Sequence, residues 1–234
     1  IFPKLKDVYT VNRSIAELYE KKYKKNVKIV RNISPLWQPQ NILSKEELGL
    51  PTDKPILIVQ GAGINIDRGA EEAVEAMQQI DGAYLIFVGD GDVIQSLKER
   101  VIQLNIAEKV LFYGKKPYDL LLQYTYHSSI GLTLDKDTNL NYKYSLPNKV
   151  FDYIHTNTPI VATNLIEVRQ IVEGNNVGVI LEDFTEQNLV NAINALLNNP
   201  SQLKVLSDNC KQAKFQLSWE GEEEVLRKIY TPYL

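Results

Sequence analysis

Cysteine is almost missing from this 234-residue chain. Cys210 stands alone, which excludes a disulfide framework and a cysteine metal cluster and fits a reducing cytoplasm. An excess of basic charge is also lacking. The net charge is −3, so no broad positive field favours nucleic acid as a partner. The one basic run (Lys21, Lys22, Lys24, Lys25) reads as a solvated helix end. No apolar stretch approaches the roughly 20 residues a membrane helix needs, and nothing at the start reads as a signal peptide. The two histidines, His127 and His155, have no companions at ligand spacing, which points to packing or surface roles, and no nucleophile elbow or Ser/His/Asp arrangement is present. Neither Gly61-x-Gly63 nor Gly89-x-Gly91 completes a dinucleotide fingerprint, because Ile66 and Ile94 stand at the third glycine position. Internal repeats and low-complexity tracts are absent. The first residue is Ile1 and the single methionine is Met77, so the chain reads as a piece of a longer protein.

What is present is an alternation of strand and helix patterns. The apolar share of 44% and charged share of 24% are those of an ordinary globular protein, with room for one large or two modest domains. Asp7–Val11 and Val27–Val30 read as short strands flanking a helix that Ser14 caps and that turns Ile15, Leu18 and Tyr19 inward. Four prolines between Ser34 and Pro55 mark a linker. Ile56-Leu57-Ile58-Val59 is continuously apolar, as a strand covered on both faces should be. The helix after it aligns Ala70, Ala73, Val74 and Met77. Further strands are expected at 84–88, 110–113, 129–134, 160–162 and 178–181. Helices carry Val93, Leu97 and Val101, then Leu120, Leu121 and Tyr124, then Leu189, Ala192, Ile193 and Leu196 behind a Thr185 start, with two more at about 201–214 and 218–230. Residues 135–144 read as a long polar loop. The spacing implies right-handed crossovers and a mainly parallel, Rossmann-like α/β sheet with helices on both faces.

In such a sheet the ligand lies beyond the carboxyl ends of the strands. That rim consists of residues 61–69, 89–92, 114–117 and 135–152. Gly89 and Gly91 read as a tight strand-to-helix turn. Arg68, at a helix entry, suits a diphosphate, although an exposed surface arginine fits the same residues. In the segment from Tyr144 to Ile154, Pro147 suits the first turn of a helix, with Ser145 as its cap. Val150, Phe151 and Ile154 form the inward face, while Asn148, Lys149 and Asp152 lie on the polar one. A cation and a carboxylate near free helix N–H groups suit a ligand with phosphate and hydroxyl groups, and a capped, solvated surface helix is the ordinary alternative.

The Pro147–Tyr153 segment, running into Thr158-Pro159-Ile160-Val161-Ala162-Thr163, resembles the donor-site segment of the group 1 (family 4) glycosyltransferases. Asp152 stands where that family has its sugar-contacting Glu, and Asn157-Thr158-Pro159 where it has Gly-x-Pro. Gly61-Ala62…Arg68-Gly69 resembles the family's phosphate-binding turn, keeping the second cation and replacing the first by Ala62. Tyr144 occupies the position of the first of the family's paired acids.

This resemblance implies one half of a GT-B fold. Residues 1–33 would be the end of the acceptor-binding domain, 34–218 the nucleotide-sugar domain, and 219–234 a helix crossing back. It implies Arg68 and Lys149 on the donor diphosphate, Asp152 on ribose or sugar hydroxyls, and backbone groups of Gly114 and Lys115 on the base. Gly61, Gly63, Asn65, Pro147 and Asn148 complete the donor site. The implied partners are a UDP- or GDP-linked sugar as substrate, with no other cofactor, and a saccharide or lipid-linked acceptor. Transfer with retention in bacterial surface-polysaccharide synthesis follows from the family, in the cytoplasm with peripheral contact to the inner membrane face through the missing first domain. Asp135-Lys136-Asp137 spells the metal motif of a different glycosyltransferase architecture, but with two cations available for the phosphates no metal is expected. A nucleotide-sugar epimerase of the same fold and a non-catalytic nucleotide- or sugar-binding module stand as alternatives.

Overall fold

The computed structural model describes residues 2–233. A small parallel pair opens the chain: β1 (Tyr9–Thr10) and β2 (Lys28–Ile29) are joined through α1 (Arg13–Tyr23). Then follow β3 (Ile56–Gly61), α2 (Ala70–Ala76), β4 (Tyr84–Gly89), α3 (Ile94–Gln103), β5 (Val110–Phe112), α4 (Tyr118–Tyr126), β6 (Ile130–Thr133), α5 (Leu140–Lys143), α6 (Asn148–His155), β7 (Ile160–Thr163), α7 (Ile166–Gly174), β8 (Gly178–Leu181), α8 (Glu186–Leu197), α9 (Pro200–Ala213) and α10 (Trp219–Tyr230). Strands β3 to β8 form one parallel sheet in the order β5-β4-β3-β6-β7-β8. This is the doubly wound α/β architecture the alternation predicts.

Apolar runs explain the layering. Along β3 and β4, Leu57, Val59, Leu85 and Phe87 face one core with α2, α3 and α8. Ile56, Ile58, Ile86 and Val88, which alternate with them, face a second core with α6, α7 and α9. Because side chains alternate across a strand, a run apolar at every position can fill both layers.

Several local expectations are corrected. Asn12, not Ser14, caps α1: its side chain accepts from Ile15 N–H, and Ser14 and Ala16 are the residues that turn inward. Leu18 and Tyr19 are exposed. The 135–144 loop contains α5, because the Asn139 side chain accepts from the N–H groups of Asn141 and Tyr142. Pro147 itself takes the position before α6, with φ −65° and ψ 140°, and provides no side-chain cap. Ser145 therefore lies too far upstream to cap, and its buried hydroxyl has no partner among the described residues. Helix α7 was not anticipated; Leu165, Val168 and Val172, buried at helical spacing, are the signal that marks it. Asn157 adopts the left-handed conformation (φ 61°) that asparagine tolerates better than most residues.

Candidate functional site

After β5 the chain jumps from one edge of the sheet across to β6, which pairs with β3. In open parallel sheets a ligand crevice forms where the strand order reverses in this way. Arg68 follows β3 and Asp135 follows β6, so both stand at that crevice. The β3–α2 turn presses against the end of β6 because residue 69 is glycine. Its φ is 74°, and a Cβ there would lie 2.3 Å from Leu134 Cβ and 2.5 Å from the Leu134 carbonyl oxygen.

This close approach brings Arg68 Nη1 to 2.8 Å from Asp135 Oδ1. From the other side Lys149, in the first turn of α6, places Nζ 3.1 Å from Asp135 Oδ2. One carboxylate thus holds both cations. Asp135 is 1% exposed, and the side chains of Arg68 and Lys149 are 28% and 11% exposed. Arg68 lies over the ring of Tyr142 at 5.0 Å, and its buried Nε has no hydrogen-bond partner among the described residues. The triad carries a net charge of +1 and keeps unused donors. A phosphate is the group such a forked cation and ammonium suit best.

The two carboxylates of Asp135-Lys136-Asp137 part company. Asp135 points inward to the two cations, whereas Asp137 is exposed and pairs with Lys143. Lys136 pairs with Glu72.

Asp152 lies one helical turn beyond Lys149 and is buried, not spread on a solvated helix face. The Tyr118 hydroxyl donates to its Oδ1 at 2.6 Å and the Gln60 amide to its Oδ2 at 3.0 Å. Thr125 fixes the Gln60 amide by donating to Oε1 at 2.5 Å. Tyr118 and Ser34 are also 2.8 Å apart. With the phenol proton committed to the carboxylate, the serine hydroxyl donates to the phenol oxygen. Burial raises the Asp152 carboxyl to about 6, and the hydrogen bonds from Tyr118 and Gln60 work against that rise. Burial and the nearby carboxylate push the Tyr118 phenol well up.

The other predicted site residues surround this arrangement unevenly. Gly61, Gly63 and Asn65 share the turn that carries Arg68, with Arg68 N–H donating to the Asn65 carbonyl at 3.2 Å. The Asn65 side chain braces the neighbouring turn by accepting from Asp92 N–H at 3.2 Å. Gly89 and Gly91 serve close packing, because a Cβ on either would strike the carbonyls of Gly61 and Ile64. Asn148, exposed before Lys149, accepts from Asn32 at 3.3 Å, linking the rim to the opening segment. Pro147 is partly buried at the same helix entry. Gly114 and Lys115 follow the edge strand β5, which β4 separates from β3 and the Arg68 turn. His127 and His155 bond the backbone carbonyls of Leu43 and Leu217, as packing residues do.

Sequence reasoning missed three members of this site. Asp135 was read only as half of a metal motif. Gln60 was detectable as the one polar residue continuing the apolar run of β3. Tyr118 gave no signal, since its contact with Asp152 joins residues 34 positions apart.

The pattern of the family described as "Glycosyl transferases group 1" matches residues 41–213. A Haemophilus influenzae protein described as an uncharacterized glycosyltransferase is 26% identical over 209 residues, covering 87% of this chain and 55% of that protein. Sucrose-phosphate synthase from Thermosynechococcus elongatus superposes with a TM-score of 0.82 at 20% identity, covering 99% of this chain and 59% of that one. Anabaena Alr3699/HepE in complex with UDP-glucose superposes with a TM-score of 0.76 at 15% identity, covering 97% of this chain and 65% of that one. At these identities the two structures bear on the fold alone. This chain spans less than two thirds of each of the three.

Proposed function

The chain belongs to the group 1 glycosyltransferases, and we propose that it is the half of such an enzyme that binds a nucleotide-diphosphate sugar. In this reading residues 34–218 are the donor domain, residues 1–33 close the first domain, and residues 219–234 cross back towards it. The observation that carries the proposal is the convergence of Arg68 and Lys149 on one buried carboxylate at the crevice. Two cations held there with donors to spare provide a seat for a pyrophosphate beside the start of α6, where free N–H groups favour negative charge.

The chemistry follows from charge. Transfer breaks the bond between the anomeric carbon and the diphosphate oxygen, and charge builds on the leaving nucleotide diphosphate. A cation about 4 Å from that charge supplies on the order of 4 kcal/mol of gross attraction at an effective dielectric near 20. Fixed cations thus stabilise the transition state without reorganising. Asp152, when ionised, accepts hydrogen bonds from ribose hydroxyls. Gly114 and Lys115 offer backbone groups to the base, and Gly61, Gly63 and Asn65 line the approach to the phosphates.

The acceptor is a saccharide or a lipid-linked sugar bound by the first domain, and transfer proceeds with retention in surface-polysaccharide synthesis. No described helix is long and apolar enough to cross a membrane. In this reading the place of action is the cytoplasm, at the inner membrane face through peripheral contact made by the first domain.

The test is incubation of the full-length protein with UDP- and GDP-sugars and mixed saccharide and lipid-linked acceptors. Sugar transfer is the expected result. Binding without turnover would establish a non-catalytic module, consistent with Ala62 and Tyr144 at two positions charged in the family. Isomerised donor without transfer would establish an epimerase.

A further inference from the structure

We propose that Asp135 is a specificity-determining residue that disfavours the nucleotide diphosphate product relative to the nucleotide-sugar donor. The inference rests on the reading of Arg68 and Lys149 as the pyrophosphate site.

Asp135 is fixed more firmly than its partners. Beyond the two ion pairs, Thr133 Oγ1 lies 3.4 Å from its Oδ2, and its backbone carbonyl accepts from Thr163 Oγ1 at 2.6 Å. The carboxylate is almost wholly buried, while Arg68 and Lys149 reach the crevice on longer, partly exposed side chains. A phosphate that engages the two cations therefore meets Asp135 as a permanent third charge, and the pocket offers +1, not +2.

The consequence differs between substrate and product. A nucleotide sugar carries one negative charge on each phosphate. Transfer leaves the electron pair of the broken carbon–oxygen bond on the terminal phosphate, while the sugar bonds to the acceptor oxygen, whose proton leaves to solvent. The terminal phosphate then carries nearly two charges at neutral pH, because its second pKa is about 6. Facing two bare cations, the extra charge would tighten the product on the enzyme. Asp135 cancels one of those cations, which removes on the order of tenfold of that tightening for charges several ångströms apart. Product departs more readily, and the donor, already at two charges, loses less.

The experiment compares a nucleoside diphosphate with its terminal methyl phosphate ester, which has one charge fewer and no sugar. Dissociation constants are measured by calorimetry at pH 8 on the wild type, Asp135→Asn and Lys149→Met, with thermal melting to confirm that each is folded. The wild type is expected to bind the two ligands within a few-fold of each other. Asp135→Asn should tighten the diphosphate over its ester by about tenfold or more. Lys149→Met, which leaves one cation against one carboxylate, should favour the ester, and it decides the matter if Asp135→Asn does not fold. The inference is overturned, with the pyrophosphate site intact, if Asp135→Asn changes both affinities by the same factor or if Lys149→Met still prefers the diphosphate. Failure of the wild type to bind either ligand overturns the site and the inference together.

Discussion

Asp152 is an acid whose surroundings oppose its charge. Burial raises its pKa from 3.8 to about 6, so the folded protein holds a proton there that the unfolded chain gives up. Its contribution to stability is therefore fully present below about pH 4 and declines as pH rises through about 6. In the proposed donor site the dependence runs the other way, because the ionised carboxylate is the better acceptor for sugar or ribose hydroxyls. Donor affinity is predicted to rise as pH passes through about 6 and to lose that dependence in Asp152→Asn. Tyr118→Phe removes a hydrogen bond that lowers the pKa, so the midpoint should move to higher pH. A pH series of titrations checks both, and an unmoved midpoint in Tyr118→Phe would contradict the assignment. Single residues were legible in the sequence where a local motif surrounded them. Arg68, Lys149 and Asp152 were nominated that way, whereas Asp135, Gln60 and Tyr118, the side chains they contact, stand far along the chain and only folding brings them near.

Elements were legible where periodicity was strong. The six strands of the main sheet and most of the helices behind them follow from continuous apolar runs and from stripes such as Leu189, Ile193 and Leu196. Helix ends were less legible because competing caps stand side by side. Asn12 outcompetes Ser14, and Pro147 leaves no room for Ser145. Turn geometry carries the next prediction. Gly69→Val sets a branched side chain at φ 74° against Leu134, which should cost about 3 kcal/mol or more and separate Arg68 from Asp135. Gly114→Ala meets nothing within 4 Å at φ 67°, so only the conformational penalty of about 1 kcal/mol applies. Denaturant midpoints measure both, and equal losses would refute the packing argument for residue 69.

At the scale of the whole molecule, the terminal helix ties the opening segment to the sheet domain. Glu222, buried on α10, accepts from Arg31 N–H at 2.7 Å and pairs with the Arg31 guanidinium at 2.6 Å. Trp219 N–H donates to the Ser34 carbonyl, and Glu220 accepts from Leu36 N–H. Glu222→Ala strands a partly buried cation and a backbone donor, so a loss of about 2–3 kcal/mol is expected in chemical denaturation, with little change in nucleotide affinity. A loss below about 0.5 kcal/mol would make this clamp an ordinary surface pair. The sheet order, by contrast, is what creates the crevice: β3 and β6 become neighbours only because the chain returns across the sheet, and their two loops then bring the opposed charges of Arg68 and Asp135 together. The most direct measurement is calorimetric titration of a nucleoside diphosphate into the wild type, Arg68→Ala and Lys149→Ala. Each substitution should weaken binding about tenfold or more in a protein that still folds, whereas wild-type affinity in either variant would contradict the pyrophosphate site.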